Sequence, residues 1–286
     1  MEVPSFADLG GRVRDVFKTG FHHGTGLINI KTKSVKRLEM MSDATLNFAE
    51  SKFNGLMETK YKANAGALLL KWTTEGVLHL GCEFNGLLIK GVDLLSECSY
   101  NPETAAKSVK AGSKFANEKI NAGCEISKDL NSSIGLLGSV VIKCRHLLLG
   151  YQGGYDVTSR RVTKCDVGVA YGCTDIDLHL LAQCTSVPHA YGLSVVYKAR
   201  PDLDIATEGT YATRDDVRKW IFGAAAKCKI DENSTLRLKF DTDLQVAASF
   251  LRRLSYGITL IFSFNVDCAN IAGDAHKAGL ALNIEA

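Results

Sequence analysis

Residues 276–286 read HKAGLALNIEA. Ala278, Leu280, Leu282 and Ile284 fall on one side of an extended chain, and Lys277, Asn283 and Glu285 fall on the other. Successive side chains of a strand point to opposite faces, so this period of two marks a strand with one apolar and one ionic face. The period does not say what the apolar face meets. It suits the interior of a soluble sandwich or barrel, and equally the hydrocarbon around a membrane barrel. Length bears on the choice. A sandwich strand runs about 5–6 residues, whereas a tilted strand crossing a bilayer needs about 9–11. Here the alternation runs nine residues over 277–285 and returns in YGITLIFSFNVD, 256–267.

Moving outward, the same pattern fills most of the chain. In GLINIKTKS, Ile28, Ile30 and Thr32 oppose Asn29, Lys31 and Lys33; in VLHLGCEF, Leu78, Leu80, Cys82 and Phe84 oppose His79 and Glu83. Turn signals separate the runs at Glu75-Gly76, Asn101-Pro102, Asp231-Glu232-Asn233 and Ser255-Tyr256-Gly257. The window 101–112, NPETAAKSVKAG, is ambiguous and is compatible with a helical turn at its start. One clear helical period precedes the strands. In FADLGGRVRDVFKTGF, residues 6–21, Phe6, Leu9, Val13, Val16 and Phe17 recur at helical spacing after an S-x-x-D start at Ser5 and Asp8. Gly20 is a stop signal, and Gly10-Gly11 costs about 1 kcal/mol per glycine relative to alanine, which predicts a bend or break there.

Composition removes several classes. The 286 residues carry 34 basic and 31 acidic side chains, a net charge of +3 without a basic stripe for nucleic acid. No uninterrupted apolar run reaches the length of a membrane helix, which leaves a barrel open. Nine scattered cysteines without a CxxC pair fit a reducing compartment, and the acids Asp8 and Asp15 beside Arg12 and Arg14 argue against a cleaved presequence. His22-His23 is a poor metal pair on a loop, no Gly-Lys-Ser/Thr phosphate loop occurs, and no catalytic constellation is arguable. We therefore expect no metal, no cofactor and no enzymatic activity.

Several stretches resemble the voltage-dependent anion channels, the eukaryotic mitochondrial porins: FADLGGRVRDVFKTGF, GLINIKTKS, GLMETKYK, LLKWTTEG, LLGYQGGYDVTSRRVTKCDVGVAYG and NIAGDAHKAGLALNIEA. The resemblance spans the whole chain. It implies an all-β fold, a 19-stranded transmembrane β-barrel with an N-terminal amphipathic helix inside the lumen; the strand number is a known property of that family and not a deduction from this sequence. On that reading residues 1–25 form the N-terminal segment with its pore-lining helix, and residues 26–286 form the barrel. An odd strand number makes the first and last strands parallel, so GLINIKTK should pair with KAGLALNI.

The resemblance also implies a function: an outer-membrane channel for small anions and metabolites such as ATP and ADP, voltage-gated, in the mitochondrial outer membrane, with homo-oligomers as possible assemblies. Pore charge is expected on the helix from Asp8, Arg12, Arg14, Asp15 and Lys18, facing the water while Leu9, Val13, Val16 and Phe17 pack on the wall. Lumen charge is expected from Lys31, Lys33, Lys60, Lys119, Arg237 and Lys277, and three bases against two acids over 6–19 predict a weak anion preference. The family's nucleotide contacts carry over in part, onto Lys18, onto Gln245, Val246 and Ala247, and onto Ser263, Phe264, Asn265, Val266 and Asp267. Two departures stand out: Leu70 where relatives often carry an acid, and Lys90-Gly91-Val92-Asp93 where the family has a lysine in place of the aspartate. The competing functions are a protein-conducting outer-membrane pore and a soluble all-β binding protein.

Overall fold

The computed structural model describes residues 3–33, 37–64, 66–86, 91–129, 134–173, 176–183, 190–214, 217–271, 273 and 275–285. Lys90 lies outside these residues. Within them, nineteen strands follow one short helix, α1 (Gly11–Phe17). The first are β1 (Thr25–Lys33), β2 (Leu38–Asn47), β3 (Lys52–Ala63), β4 (Gly66–Thr73), β5 (Leu78–Asn85) and β6 (Val92–Tyr100). Then come β7 (Lys107–Ala116), β8 (Ile120–Asp129), β9 (Ile134–Cys144), β10 (Leu147–Asp156), β11 (Arg161–Gly172) and β12 (Ile176–Gln183). The series ends with β13 (Ala190–Arg200), β14 (Leu203–Arg214), β15 (Val217–Asp231), β16 (Ser234–Asp241), β17 (Gln245–Ser255), β18 (Ile258–Asp267) and β19 (Lys277–Glu285). The ambiguous window resolves into a turn at 101–106 followed by β7.

Each strand pairs antiparallel with the next, and β1 pairs parallel with β19, Gly26 opposite Leu280 through Lys31 opposite Glu285. The sheet is thereby closed. Pro102 and Pro201 sit in turns, where a missing N–H breaks no ladder.

The barrel is inside-out relative to a soluble protein. Ile28, Leu80, Trp72, Phe264 and Leu280 are 47, 52, 63, 54 and 42% exposed on the outer face. The alternate residues, such as Lys60, Glu83 and Ser263, face the interior. The leucines and isoleucines do not meet at a centre. Buried apolar residues gather chiefly where the N-terminal segment touches the wall, in two small clusters. This overturns the soluble-sandwich reading: the long alternating runs serve lipid on one side and water on the other.

The helical period at 6–17 is divided. A 3-10 turn covers Phe6–Asp8, Gly10 adopts a left-handed φ of 70°, and α1 begins at Gly11. The double glycine thus lets the apolar side change direction. Ser5 donates its hydroxyl to Asp8 (2.5 Å) instead of capping a backbone N–H.

The two neighbours Leu69 and Leu70 test the assignment of faces. Leu70 is 43% exposed on the outer face, while Leu69 points inward opposite Lys60 and Gly81. Leu70→Lys should cost about 2–4 kcal/mol if it lies at the bilayer midplane, and Leu69→Lys less than about 1 kcal/mol. Equilibrium unfolding of the two variants in lipid vesicles, followed by tryptophan fluorescence, reads the difference.

Candidate functional site: the pore lining

The N-terminal segment crosses the inside of one wall. Val13 and Val16 pack on Val196, Ala206 and Ala225 of β13, β14 and β15, with Phe17 beside them. Val3 and Leu9 pack on Val141 of β9, flanked by Phe6, Leu148 and Ala170. The wall is thin under these side chains. A Cβ on Gly150 would lie 2.5 Å from Leu9 Cδ1, and one on Gly279 would lie 1.5 Å from the His22 carbonyl oxygen. Gly279 is required by this approach to backbone, whereas a side chain at Gly150 would have to displace Leu9 and Phe6.

Polar contacts fasten the same segment along its length. Asn121 Nδ2 donates to the Val3 carbonyl (2.8 Å), and Arg12 pairs with Asp177 of β12 (2.6 Å). Asp15 accepts from Lys227 of β15 and from Arg237 of β16, the latter at 3.2 Å. Arg237 also donates to the Thr19 carbonyl (2.8 Å), and Ser249 donates to the Gly20 carbonyl (2.6 Å). The His22 N–H donates to Ser263 Oγ (3.0 Å). Burial raises the Asp15 carboxyl, but the Lys227 hydrogen bond and charge and the Arg237 charge outweigh it, so the group titrates below the usual range. Its charge is therefore kept at neutral pH.

These contacts alter the expected roles. Of the helix residues thought to face water, Arg12 and Asp15 each hold a wall partner, and Arg14 donates to the carbonyls of Ala7 and Leu9. Asp8 and Lys18 remain exposed. Arg237, expected as a free lumen charge, has a side chain only 7% exposed beneath the segment and acts as a strap. Lys60 is neutralised by Glu83 (2.9 Å). Lys119 lies in the turn before β8, at the mouth and not on a strand. Lys31 and Lys277 stand exposed at opposite ends of the closing pair, and Lys33 ends β1 opposite Glu39. Lys227, Asp177 and Ser249 were missed. Their signal was present in the alternation of their strands, which gives each of them the inward parity.

The wall from β2 to β6 is uncovered by the segment and carries a ladder of cross-strand pairs. Lys62–Glu39 (2.6 Å), Lys60–Glu83 (2.9 Å) and Lys71–Glu58 (3.3 Å) lie side by side, with His79 and Glu97 at 3.2 Å beyond them. Exposed pairs of this kind stabilise by about 0–1 kcal/mol each. Their larger effect is to balance the charge seen by a passing ion. Lys71 sits between Leu70 and Trp72, which face out, so the departure at Leu70 leaves the lipid face apolar there.

The carried-over nucleotide residues are not gathered into one site. Val246, Phe264 and Val266 face outward, 36, 54 and 40% exposed toward lipid. Ala247 and Ser263 are buried on the inner face, Ser263 against the His22 N–H of the N-terminal segment. Gln245 and Asn265 do face inward, but they bond each other (3.1 Å), and Asp267 accepts from the Ala269 N–H. Lys18 lies on the helix, exposed. Among the described residues no His, Cys, Asp and Glu cluster fits a metal.

Two measurements probe the fastening. Asp15→Asn removes the carboxylate from two cations, one of them buried, and should weaken docking of the segment by about 1–2 kcal/mol after solvent screening. Faster amide exchange at Val13 and Val16 would report it, and unchanged exchange would refute the strap. The link between α1 and β1, where His23 lies, should respond to acid. His23 has both ring nitrogens buried without a partner, and burial, then Lys239, His22 and Lys277, lower its pKa to about 4. Released, the ring returns to about 6.5, so the undocked state binds more protons between those values. Docking is at full strength above about pH 6.5 and weakens as pH falls toward 4. A His23→Gln variant should lose most of that dependence in the same exchange experiment.

Comparison with known proteins agrees with this architecture. The sequence profile described as "Eukaryotic porin" matches residues 2–279. The chain is 32% identical over 292 residues to the "Non-selective voltage-gated ion channel VDAC2" of Homo sapiens, covering 99% of this chain and 95% of that one. It is 31% identical over 290 residues to the protein of the same name from Xenopus laevis, covering 99% of each. The "Non-selective voltage-gated ion channel VDAC1" of Rattus norvegicus is 30% identical over 287 residues, again covering 99% of each. A closed barrel of nineteen strands, shut by a parallel first and last strand and lined by its own N-terminal helix, together with a profile match over nearly its whole length, makes this chain a member of the eukaryotic porin family.

Proposed function

We propose that this chain is a voltage-gated, poorly selective pore for ions and small metabolites in the mitochondrial outer membrane, with a weak preference for anions. The observation that carries the reading is the placement of α1 flat against β13–β15, while the ion-paired wall of β2–β6 stays open to the interior. A segment lying along one wall narrows a passage without sealing it. A barrel of 16–18 strands already leaves an aqueous channel. One more strand widens it, so nucleotides pass as hydrated solutes instead of being held, which suits the dispersal of the nucleotide residues described above.

Selectivity in such a pore comes from the sum of its lumen charges. Arg12 and Asp15 are committed to wall partners of opposite sign, and Lys18, Lys110 and Lys114 form no ion pair among the described residues. Glu97 and Asp93 stand cross-strand from Lys110 and Lys114, so the surplus is small, and the net charge of the whole chain is +3. Voltage acts on the same charges. Each unit charge crossing 100 mV changes the energy by about 2.3 kcal/mol, so two or three effective charges at about 50 mV supply about 2–3.5 kcal/mol, comparable with the fastening of the segment.

Planar-bilayer recording tests the whole reading. The purified chain should open as large conductance steps that close as voltage of either sign rises. Under a salt gradient the reversal potential should show modest anion preference. Firm cation preference would overturn the charge argument, and absence of conductance would overturn the pore.

A further inference from the structure

The outer face of the barrel carries, near the end of β17, a charged side chain that the pore does not explain. Ala247 and Ser249 of β17 are buried on the inner face, Ser249 donating to the Gly20 carbonyl, so the alternate residues Val246, Ala248, Phe250 and Arg252 face outward. Arg252 lies three residues inside the end of β17, cross-strand from Ser234 and Leu260. Its guanidinium is exposed and makes no hydrogen bond or ion pair with any described residue. Along the strand and across it stand Phe250, Leu260 and Phe262, with Phe262 40% exposed. Together they line a groove of about 710 Å³. Arg253 also borders it, from a strand position that faces the lumen, and Asp231 is the one acid in its lining.

We propose that this groove holds an anionic phospholipid, with the phosphate on Arg252 and the first acyl carbons on Phe250, Leu260 and Phe262. An arginine on the lipid face is costly at depth and nearly free at the interface, where its apolar stem lies along the wall and its head reaches the phosphate layer. Five donors in a planar fork match a phosphate bidentately. Two arginines against one aspartate leave the lip positive, and zwitterionic headgroups would bring a second, repelled cation to it. The apolar floor points to a lipid over free phosphate, which would have no use for Phe250 or Phe262. An outward groove continuous with the hydrocarbon band is reached first by lipid.

The test is retention of lipid. The detergent-purified full chain is mixed with equal phosphatidylglycerol and phosphatidylcholine, and bound lipid is counted by native mass spectrometry. The wild-type chain should retain phosphatidylglycerol preferentially. Arg252→Gln should lower that preference about tenfold, the loss expected for a charged hydrogen-bond pair. Arg252→Lys, which keeps the charge and loses the fork, should fall between, and it serves if the glutamine variant does not fold. Lys31→Gln removes the same charge from the lumenal side of the same mouth and should leave the lipid preference unchanged. Equal losses in Arg252→Gln and Lys31→Gln would make the effect diffuse rim charge and overturn the site. So would an unchanged preference in Arg252→Gln, or displacement of the lipid by millimolar inorganic phosphate.

Discussion

Hydrocarbon offers no partner to a peptide N–H or C=O, so a sheet that enters a bilayer must have no edge. The parallel pairing of β1 with β19 meets that demand here. With an odd number of strands the two ends of the sheet run the same way, and only a parallel ladder can join them. The closing pair carries Gly26, Ile28 and Ile30 beside Leu280, Leu282 and Ile284 on the lipid face, and Asn29 beside Asn283 on the water face. The period of two in each strand is thus a consequence of closure: once the sheet curls on itself, one face belongs wholly to lipid and the other wholly to water.

A water-filled interior gives an enclosed helix little apolar surface to bury. The N-terminal segment therefore relies on mixed fastening. Small wall residues, Ala206 and Ala225 under Val13 and Val16, and Gly150 under Leu9, bring it close enough for dispersion contacts. Asp15, Arg237, Ser249 and Ser263 then tie its backbone and charge to four strands. Removing water from Arg237 would be unfavourable alone, and it is offset because Asp15 and the Thr19 carbonyl both accept from it. The result is a constriction held by interactions of moderate strength, within reach of a membrane potential.

The fold was legible in the sequence because each strand states its own two faces. Length beyond a sandwich strand pointed toward the membrane, and the resemblance supplied the count and the closing pair. Gly10-Gly11 signalled the break in the helix that φ of 70° at Gly10 confirms. What could not be read was pairing across the lumen. Alternation assigns Arg237 to the interior and the helix reading places Asp15 there, but neither says that they touch, since 222 residues separate them. The same limit explains Val246, Phe264 and Val266. Motif continuity along a strand joins residues that the pleat sends to opposite sides of a membrane.

Weak selectivity follows from the pairing on the open wall. An ion passing β2–β6 meets lysines and glutamates as adjacent couples, Lys62 with Glu39, Lys60 with Glu83 and Lys71 with Glu58. At physiological salt the screening length is about 8 Å, longer than the separation within each couple, so the couple acts as a dipole and its field fades faster than that of a single charge. Discrimination is then left to the few unpaired groups near the helix. A wall of unpaired lysines would bind phosphates and slow their release, whereas compensated charge keeps the lining wettable and lets charged solutes leave as readily as they enter.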